Sequence, residues 1–415
     1  MQPKSYLVIG GGLVGAAAAL RLQVAGFAVS LIDPGDPRRA ASFGNIGHIA
    51  AEQVSPLASQ ETLRSVPARL FGLGGPVDFR WRDAGLWAPW ALRFMAASHP
   101  EVHARGQEAL TALLAEALPA WRRLAALSGA PDIVGRDGHA VVWMSEKAAD
   151  NGLRAWERTP TGSAAFQPMT VGELAVYAGV MKRPPVAGIR FSGTAQVSEP
   201  QAARDALLAA FEALGGERVQ ARVAGLATGE RVIAQLAGGG TCEADGALIA
   251  AGAWAGELMR GLGADAPVIA ERGYSVQSAE HGWDEALPPT VFEEHSMVVS
   301  RFTSGLRASS YVEFGSPDAP GDTRKWRALE RRLATLGIGF SAEPDRWVGP
   351  RPTLPDYLPA IGRLRRHPRI LYAFGHQHLG LTMAAVTAEL TTALAQDAEP
   401  SIDLGPFRIE RFAAG

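Results

Sequence analysis

Residues 5–33, SYLVIGGGLVGAAAALRLQVAGFAVSLID, read as strand, tight glycine turn, helix, second strand and acid. Tyr6 to Ile9 form a short apolar run, suited to a strand covered on both faces. Gly10, Gly12 and Gly15 follow with the spacing GxGxxG. The first glycine permits the sharp turn and the second lets backbone approach a pyrophosphate. The third lets the helix pack close to the strand. Residues 16–25 are rich in small helix formers, and Gly26 stops the helix. Residues 28–32 make the second strand. Asp33 closes it 18 residues after Gly15, where a carboxylate can accept from both hydroxyls of an adenosine ribose. A lone GxGxxG is weak evidence. With a strand before it, a helix after it and the acid in place, the stretch reads as a dinucleotide site. It leaves FAD and NAD both open, and Asp33 would repel a 2′-phosphate.

The rest of the composition agrees with a two-domain globular enzyme. The chain has 415 residues, 47% hydrophobic and 20% charged, which suits a large core. A net charge of −2 gives no footprint for nucleic acid. The single cysteine, Cys242, leaves no intrachain disulfide and no multi-cysteine metal site, so no metal is expected. That usage fits a reducing compartment, the cytoplasm. The apolar N-terminal run is broken by glycines and Arg21, so it is not read as a signal peptide. No charge-free apolar run of about 18 residues occurs, and no transmembrane helix is expected. Peripheral association with the inner membrane, or with a partner subunit, stays open.

Beyond Asp33, residues 41–59 read as a loop feeding a short helix near Ala50. Residues 81–128 are helical, with Trp87, Trp90 and Phe94 as a core stripe. Residues 132–144 suggest a hairpin turning at Asp-Gly. Thr170 and Glu173 form a capping pair for a short helix, and residues 189–197 read as a strand. Residues 199–214 make a helix, and 218–235 make two strands before a glycine hairpin. Residues 247–250 are a buried strand running into Ala251, Gly252 and a helix. Residues 268–315 alternate as antiparallel strands. The helix that follows carries Arg324, Lys325, Arg327, Arg331 and Arg332, read as a solvated basic face. Residues 347–362 are turn-rich, and a final strand and helix cover 371–374 and 381–395. The expected organisation is a discontinuous dinucleotide domain, residues 1–80, 190–265 and 346–415. A second domain, residues 81–189 and 266–345, interrupts it.

Four segments together resemble the FAD-dependent D-amino-acid oxidase/dehydrogenase superfamily, which includes the glycine and sarcosine oxidases. They are IGGGLVGAAAALRLQVAG with LID, ASFGNIGHIA, GALIAAGAWA, and GPRPTLPDYLPAIG followed by LYAFGHQHLGLTMA. The second and last are most similar to the bacterial D-amino-acid dehydrogenases. The resemblance implies an α/β chain (α+β overall) of the glutathione-reductase type. A Rossmann-like FAD-binding domain would be interleaved with an antiparallel-sheet substrate domain. It implies noncovalent FAD, since Cys242 is not where relatives tether flavin. Gly10, Gly12, Leu13, Val14 and Gly15 would hold the pyrophosphate, and Asp33 the ribose. Ser42, Asn45, Ile46, Gly47 and His48 would lie along the isoalloxazine ring. Val223, Ala251, Gly252 and Trp254 would border the cofactor, and Gly380, Leu381 and Thr382 would aim backbone amides at the flavin O2 edge.

Arg351 stands at the position of the family's carboxylate-clamping arginine, in GPRP. A guanidinium suits a planar carboxylate by paired hydrogen bonds. His48 and His378 could hydrogen-bond substrate. Where some relatives carry a tyrosine, this chain has Met297, and Tyr274 and Tyr311 are the substitutes. The implied reaction is oxidative deamination of a small D-amino acid, or of a cyclic D-imino acid of the proline or hydroxyproline type. Hydride would pass from the α carbon to flavin N5, then electrons to oxygen, a quinone or another carrier. Two alternatives remain at this stage. One is a glycine/sarcosine-type secondary-amine oxidase, and the other a flavin-binding electron-relay subunit of a larger complex.

Overall fold

The computed structural model describes residues 3–413. Ser5–Ile9 is buried over its last four residues and lies inside a six-stranded sheet. The spatial order is Glu217–Gln220, Ala28–Asp33, Ser5–Ile9, Gly246–Ile249, Ile370–Phe374 and Ala360–Arg363. The first five strands run parallel and the last is antiparallel. Such a sheet needs cover on both faces. Helix Leu13–Val24 supplies one cover and packs on Gly380–Ala395 and Pro200–Ala213. Ala16, Ala17, Ala18 and Ala19 are fully buried there, because only small side chains let two backbones approach so closely. The meander Val223–Thr228, Val232–Leu236 and Thr241–Ala244 packs on the other face with Ala255–Gly261.

The second sheet has nine strands. Its path runs Asp345–Thr353, Ile269–Ser278, Gly305–Gly315, Met297–Phe302, Thr290–Phe292, Ala140–Trp143, Ala187–Ser192 and Ala165–Pro168, with Val77–Phe79 beside Gly305–Gly315. It is mostly antiparallel, but Thr290–Phe292 runs parallel to Ala140–Trp143, and Val77–Phe79 parallel to Gly305–Gly315. The sheets are therefore mixed. Helix Thr323–Leu336 packs on the second sheet through Leu329, Leu333 and Leu336.

Several local expectations are corrected. Residues 132–144 are not a hairpin: Val134–Asp137 pairs with Ala195–Val197, whereas Ala140–Trp143 joins the large sheet. Residues 189–197 likewise split at Gly193 into two strands of different sheets. Near Ala50 there is a two-residue strand, His48–Ile49, and the helix comes later at Gln60–Ser65. The turn-rich stretch at 347 is a nine-residue strand, Asp345–Thr353. It lies at the sheet edge, where Pro350 and Pro352 remove no ladder hydrogen bond. The basic helix is not uniformly solvated. Lys325 is fully buried and donates to Asp78 at 2.6 Å and Glu313 at 2.5 Å, and Glu313 also pairs with Arg272. The capping pair is present as expected, with Thr170 and Glu173 bonding reciprocally.

Candidate active site

A cleft of about 880 Å³ runs from the glycine turn to the edge of the second sheet. At its first end the backbone does the work. Gly10 has φ +107°, and a Cβ there would stand 2.5 Å from the Ala250 carbonyl oxygen. A Cβ on Gly15 would lie 1.8 Å from the Gly10 carbonyl oxygen. Gly12 caps the helix without any side-chain acceptor, so the first amides stay free for an anion. Asp33 Oδ2 accepts from Gly11 N–H at 2.7 Å, and Oδ1 accepts from Gly35 N–H at 2.8 Å. Both oxygens keep spare lone pairs and are held at the strand end. Buried Arg204 donates to the Gly11 carbonyl from behind the turn.

The loop 41–48 crosses the middle. Asn45 Oδ1 accepts from Gly47 N–H at 2.8 Å, and Arg307 donates to the Asn45 carbonyl. Gly44 lies against Trp347, where a Cβ would be 2.0 Å from the ring. Ser42 Oγ is buried and has no hydrogen-bond partner. Thr382 Oγ1 accepts from Ala50 N–H at 3.0 Å and donates to the His48 carbonyl at 3.3 Å, tying this loop to the start of the last helix. That helix begins at Gly380 with no side-chain cap, and its first amides favour negative charge.

At the far end the side chains are charged. Glu271 and Arg351 face each other across neighbouring strands, with Arg351 Nη1 3.5 Å from Glu271 Oε1. Glu271 Oε2 accepts from Thr353 Oγ1 at 3.0 Å and from Tyr357 Oη at 3.1 Å. Arg351 Nη1 also donates to the Tyr311 carbonyl at 3.4 Å. Its Nε and Nη2 have no hydrogen bond among the described residues. Around this pair the backbone is strained. Tyr311, Tyr357 and Gln377 have φ of 63°, 57° and 49°, a region costly for side-chain-bearing residues. Tyr311 sits in an irregular stretch of pairing opposite Gly273. Its hydroxyl and Gln377 Oε1 are buried without partners. Burial pushes the Tyr311 phenol up, so it stays a donor at neutral pH.

Four histidines, His48, His139, His376 and His378, line the cleft. His378 lines the cleft, pairs with Gln53 at 2.7 Å, and burial holds its pKa down. His48 Nε2 lies 3.3 Å from Glu52 Oε2, and His139 Nε2 lies 3.9 Å from Glu52 Oε1. The His48 and His139 rings meet edge to face at 4.1 Å.

Most residues expected at the cofactor line this cleft: Gly10, Gly12, Leu13, Val14, Asp33, Ser42, Asn45, Ile46, His48, Val223, Ala251, Gly252, Trp254, Gly380 and Leu381. Gly15, Gly47 and Thr382 stand behind them and hold the turns. Arg351, His378 and Tyr311 are brought to the same cleft. Tyr274 is not. It is fully buried in the core of the second sheet, with its hydroxyl on Glu313 at 3.1 Å. Sequence reasoning missed Glu52, His139, Arg204 and Glu271. Glu271 had a signal: a carboxylate at an inward position of an alternating strand, VIAERGYSVQ.

The profile of the family "FAD dependent oxidoreductase" matches residues 5–394. A D-amino-acid oxidase of Bradyrhizobium diazoefficiens is 31% identical, over 99% of this chain and 99% of the relative. A D-amino acid dehydrogenase of Paramagnetospirillum magneticum is 30% identical, over 98% of this chain and 99% of the relative. Among solved structures, glycine oxidase of Geobacillus kaustophilus superposes with a TM-score of 0.72 at 20% identity, each chain fully covered. Iminodiacetate oxidase of a Chelativorans species superposes with 0.72 at 17% identity, over 97% of this chain and 98% of that one. These two likenesses speak for the fold. No helix of the described residues is long and apolar enough to cross a membrane.

Proposed function

The chain belongs to the FAD-dependent oxidoreductase family and oxidises amino acids with FAD, and on that premise we propose that its substrate is a small D-amino acid or cyclic D-imino acid. The observation that carries this is Arg351, a half-buried cation on the wall of the cleft that begins at the glycine turn. The residues present fit FAD. The turn is tight because Gly10 and Gly15 admit no Cβ against the backbone behind them, and Ser42 offers an unpartnered hydroxyl in mid-cleft. In this reading the helix amides after Gly12 hold the pyrophosphate and Asp33 the ribose. The loop 42–48 and Ala251–Gly252 would hold the ring from its sides, and the first amides of the helix from Gly380 would favour negative charge on it. Bound FAD supplies a two-electron acceptor for the hydride leaving the α carbon.

The chain's own part is orientation. Glu271 pins Nη1 of Arg351 and leaves Nε and Nη2 to receive a carboxylate in the two-pronged way a guanidinium favours. The Glu271 charge also keeps the arginine from being a bare buried cation before substrate arrives. Tyr311 and Gln377, strained and with unpartnered polar atoms, stand ready to hydrogen-bond the ligand. No cysteine lines the cleft among the described residues, which supports noncovalent FAD. Electrons then pass to oxygen or to another carrier.

Anaerobic bleaching of the flavin with a panel of D- and L-amino acids tests the reading. The panel includes both epimers of proline and hydroxyproline, glycine and sarcosine. Bleaching by D-epimers supports it; bleaching by sarcosine or glycine alone overturns it. Acid precipitation should leave the yellow colour in the supernatant, and a yellow pellet would contradict noncovalent binding.

A further inference from the structure

Amino acids reach an enzyme at neutral pH as ammonium ions, and an ammonium nitrogen has no lone pair to form a C=N bond as hydride leaves. We infer that His48 is the base that takes the substrate's ammonium proton, with Glu52 as its positioning residue and His139 as a neutral wall. The inference rests on the reading of the cleft as an amino-acid site and adds the group that makes the amine reactive.

The geometry carries it. Glu52 is 2% exposed, and among the described residues no lysine or arginine lies within ion-pair distance of it. A buried carboxylate beside an imidazole favours the imidazolium that forms when the ring takes up a proton. The contacts of Glu52 are two imidazoles, and all three residues line the cleft. The Glu52 carboxylate fixes the His48 tautomer with hydrogen on Nε2. Nδ1 is then the acceptor, and it has no partner among the described residues. His139 cannot share the role. Its Nδ1 meets Thr194 Oγ1 at 3.2 Å and its ring stacks on Phe191 at 4.4 Å. Burial, then His48, push its pKa to about 3 against the pull of Glu52, so it stays neutral. Burial pushes the Glu52 carboxyl up, but the charge and hydrogen bond of His48 lead the influences that hold it at about 2.

The charged groups facing this cluster are few. Arg190 bears on His139, and His378 feels the charges of Glu271, Arg351 and Glu52 together. A substrate with its carboxylate on Arg351 therefore meets the imidazoles with its amine. The step balances. The ammonium N–H bond breaks and its proton goes to His48 Nδ1, giving an imidazolium paired with Glu52. The freed lone pair forms the C=N bond as the C–H pair leaves to FAD, and the product departs as an iminium ion. The other buried charged cluster, Arg272–Glu313–Lys325, is already charge-paired and lies away from the cleft.

The test is the pH dependence of flavin reduction, measured anaerobically by stopped flow on the holoenzyme with a D-amino acid that bleaches it. Wild type should show a rising limb well below the free amine's own ionisation, then a plateau. His48→Gln should lose about 100-fold at neutral pH, the scale of general-base catalysis. That loss should shrink as pH rises to the amine's own ionisation, and added imidazole should restore part of it. Glu52→Gln removes the charge that favours the imidazolium, so it should move the limb to lower pH and lower the plateau. A His48→Gln profile parallel to wild type, lowered uniformly or unchanged, overturns the inference. So does a wild-type limb that follows the free amine's ionisation, a result that needs no variant. If no amino acid bleaches wild type, it is the amino-acid reading that fails, ahead of this one.

Discussion

The two ends of the cleft are built by opposite means. At the glycine turn the shape comes from side chains that are missing: Gly10 and Gly15 have no room for a Cβ, and the helix after Gly12 starts without a side-chain cap. At the Arg351 end it comes from charged side chains and strained backbone held by their neighbours. The first device tolerates no added atom. The second should tolerate addition and suffer from removal.

The strongest test of that contrast is Gly15→Ala. Its methyl would lie 1.8 Å from the Gly10 oxygen, so turn and helix must separate. The variant should purify colourless and melt at lower temperature, since overpacking of this kind costs about 1–3 kcal/mol or more. Full flavin content would show that the turn is looser than its geometry implies.

Arg351→Ala breaks the other end. Loss of one partner from a desolvated charge pair costs about 2–5 kcal/mol, or about 30- to several-thousand-fold in kcat/KM. Glu271 is left without its cation, which adds a loss of stability. Arg351→Lys should recover part, because an ammonium cannot meet both carboxylate oxygens. FAD content should not change. Kinetics normalised to bound FAD decide it, and an Ala variant with near wild-type kcat/KM would end the clamp.

Asp33→Ala returns to the cofactor end, where it should weaken binding and leave turnover nearly alone. Two ribose hydrogen bonds to a charged acceptor are worth about 1.5–3 kcal/mol each when lost, and the Gly11 and Gly35 amides lose their acceptors too. Titration of apoprotein with FAD should show weakened binding, with the reduction rate of loaded enzyme nearly intact. Unchanged affinity would exclude Asp33 as ribose ligand.

The smallest effect is expected from Tyr311→Phe. Its hydroxyl has no partner in the protein, so stability should shift by less than about 0.5 kcal/mol. Were that hydroxyl bonded to substrate, kcat/KM would fall by about tenfold, near 1–1.5 kcal/mol. A melting curve and a kcat/KM value together separate an idle hydroxyl from a bound one.

The same contrast explains what could be read in the sequence. The glycine spacing, the acid at 33 and the helix between are local, and they announce two neighbouring strands of the six-stranded sheet. Arg351 was legible through its neighbours Pro350 and Pro352, yet those prolines also suggested a turn. Only the edge position of the strand reconciles them with β structure. Glu271 lies 80 positions away in the chain and meets Arg351 through strand register, which composition does not encode. Lys325 looked like one of several solvated cations. Its burial depends on Asp78 and Glu313, contributed by two other strands. The false hairpin at 132–144 failed for a similar reason: its halves pair with strands more than 40 positions further along the chain.

The Ser5–Ile9 strand has a consequence for the order of assembly. One neighbour, Ala28–Asp33, is made at once, but the other is Gly246–Ile249. Ser5 is anchored by its N–H and hydroxyl to Asp245 Oδ2 at 2.7 and 2.8 Å, 240 positions along the chain. Beyond that strand, Ile370–Phe374 extends the same sheet. On a ribosome, the leading strand therefore emerges long before its second neighbour. It spends much of synthesis as an open apolar edge, the kind of surface that pairs wrongly or recruits chaperones. Closure must await a contact of high sequence separation, which slows folding. A chain cut short before residue 370 would lack not a peripheral tail but part of the sheet under the cofactor cleft.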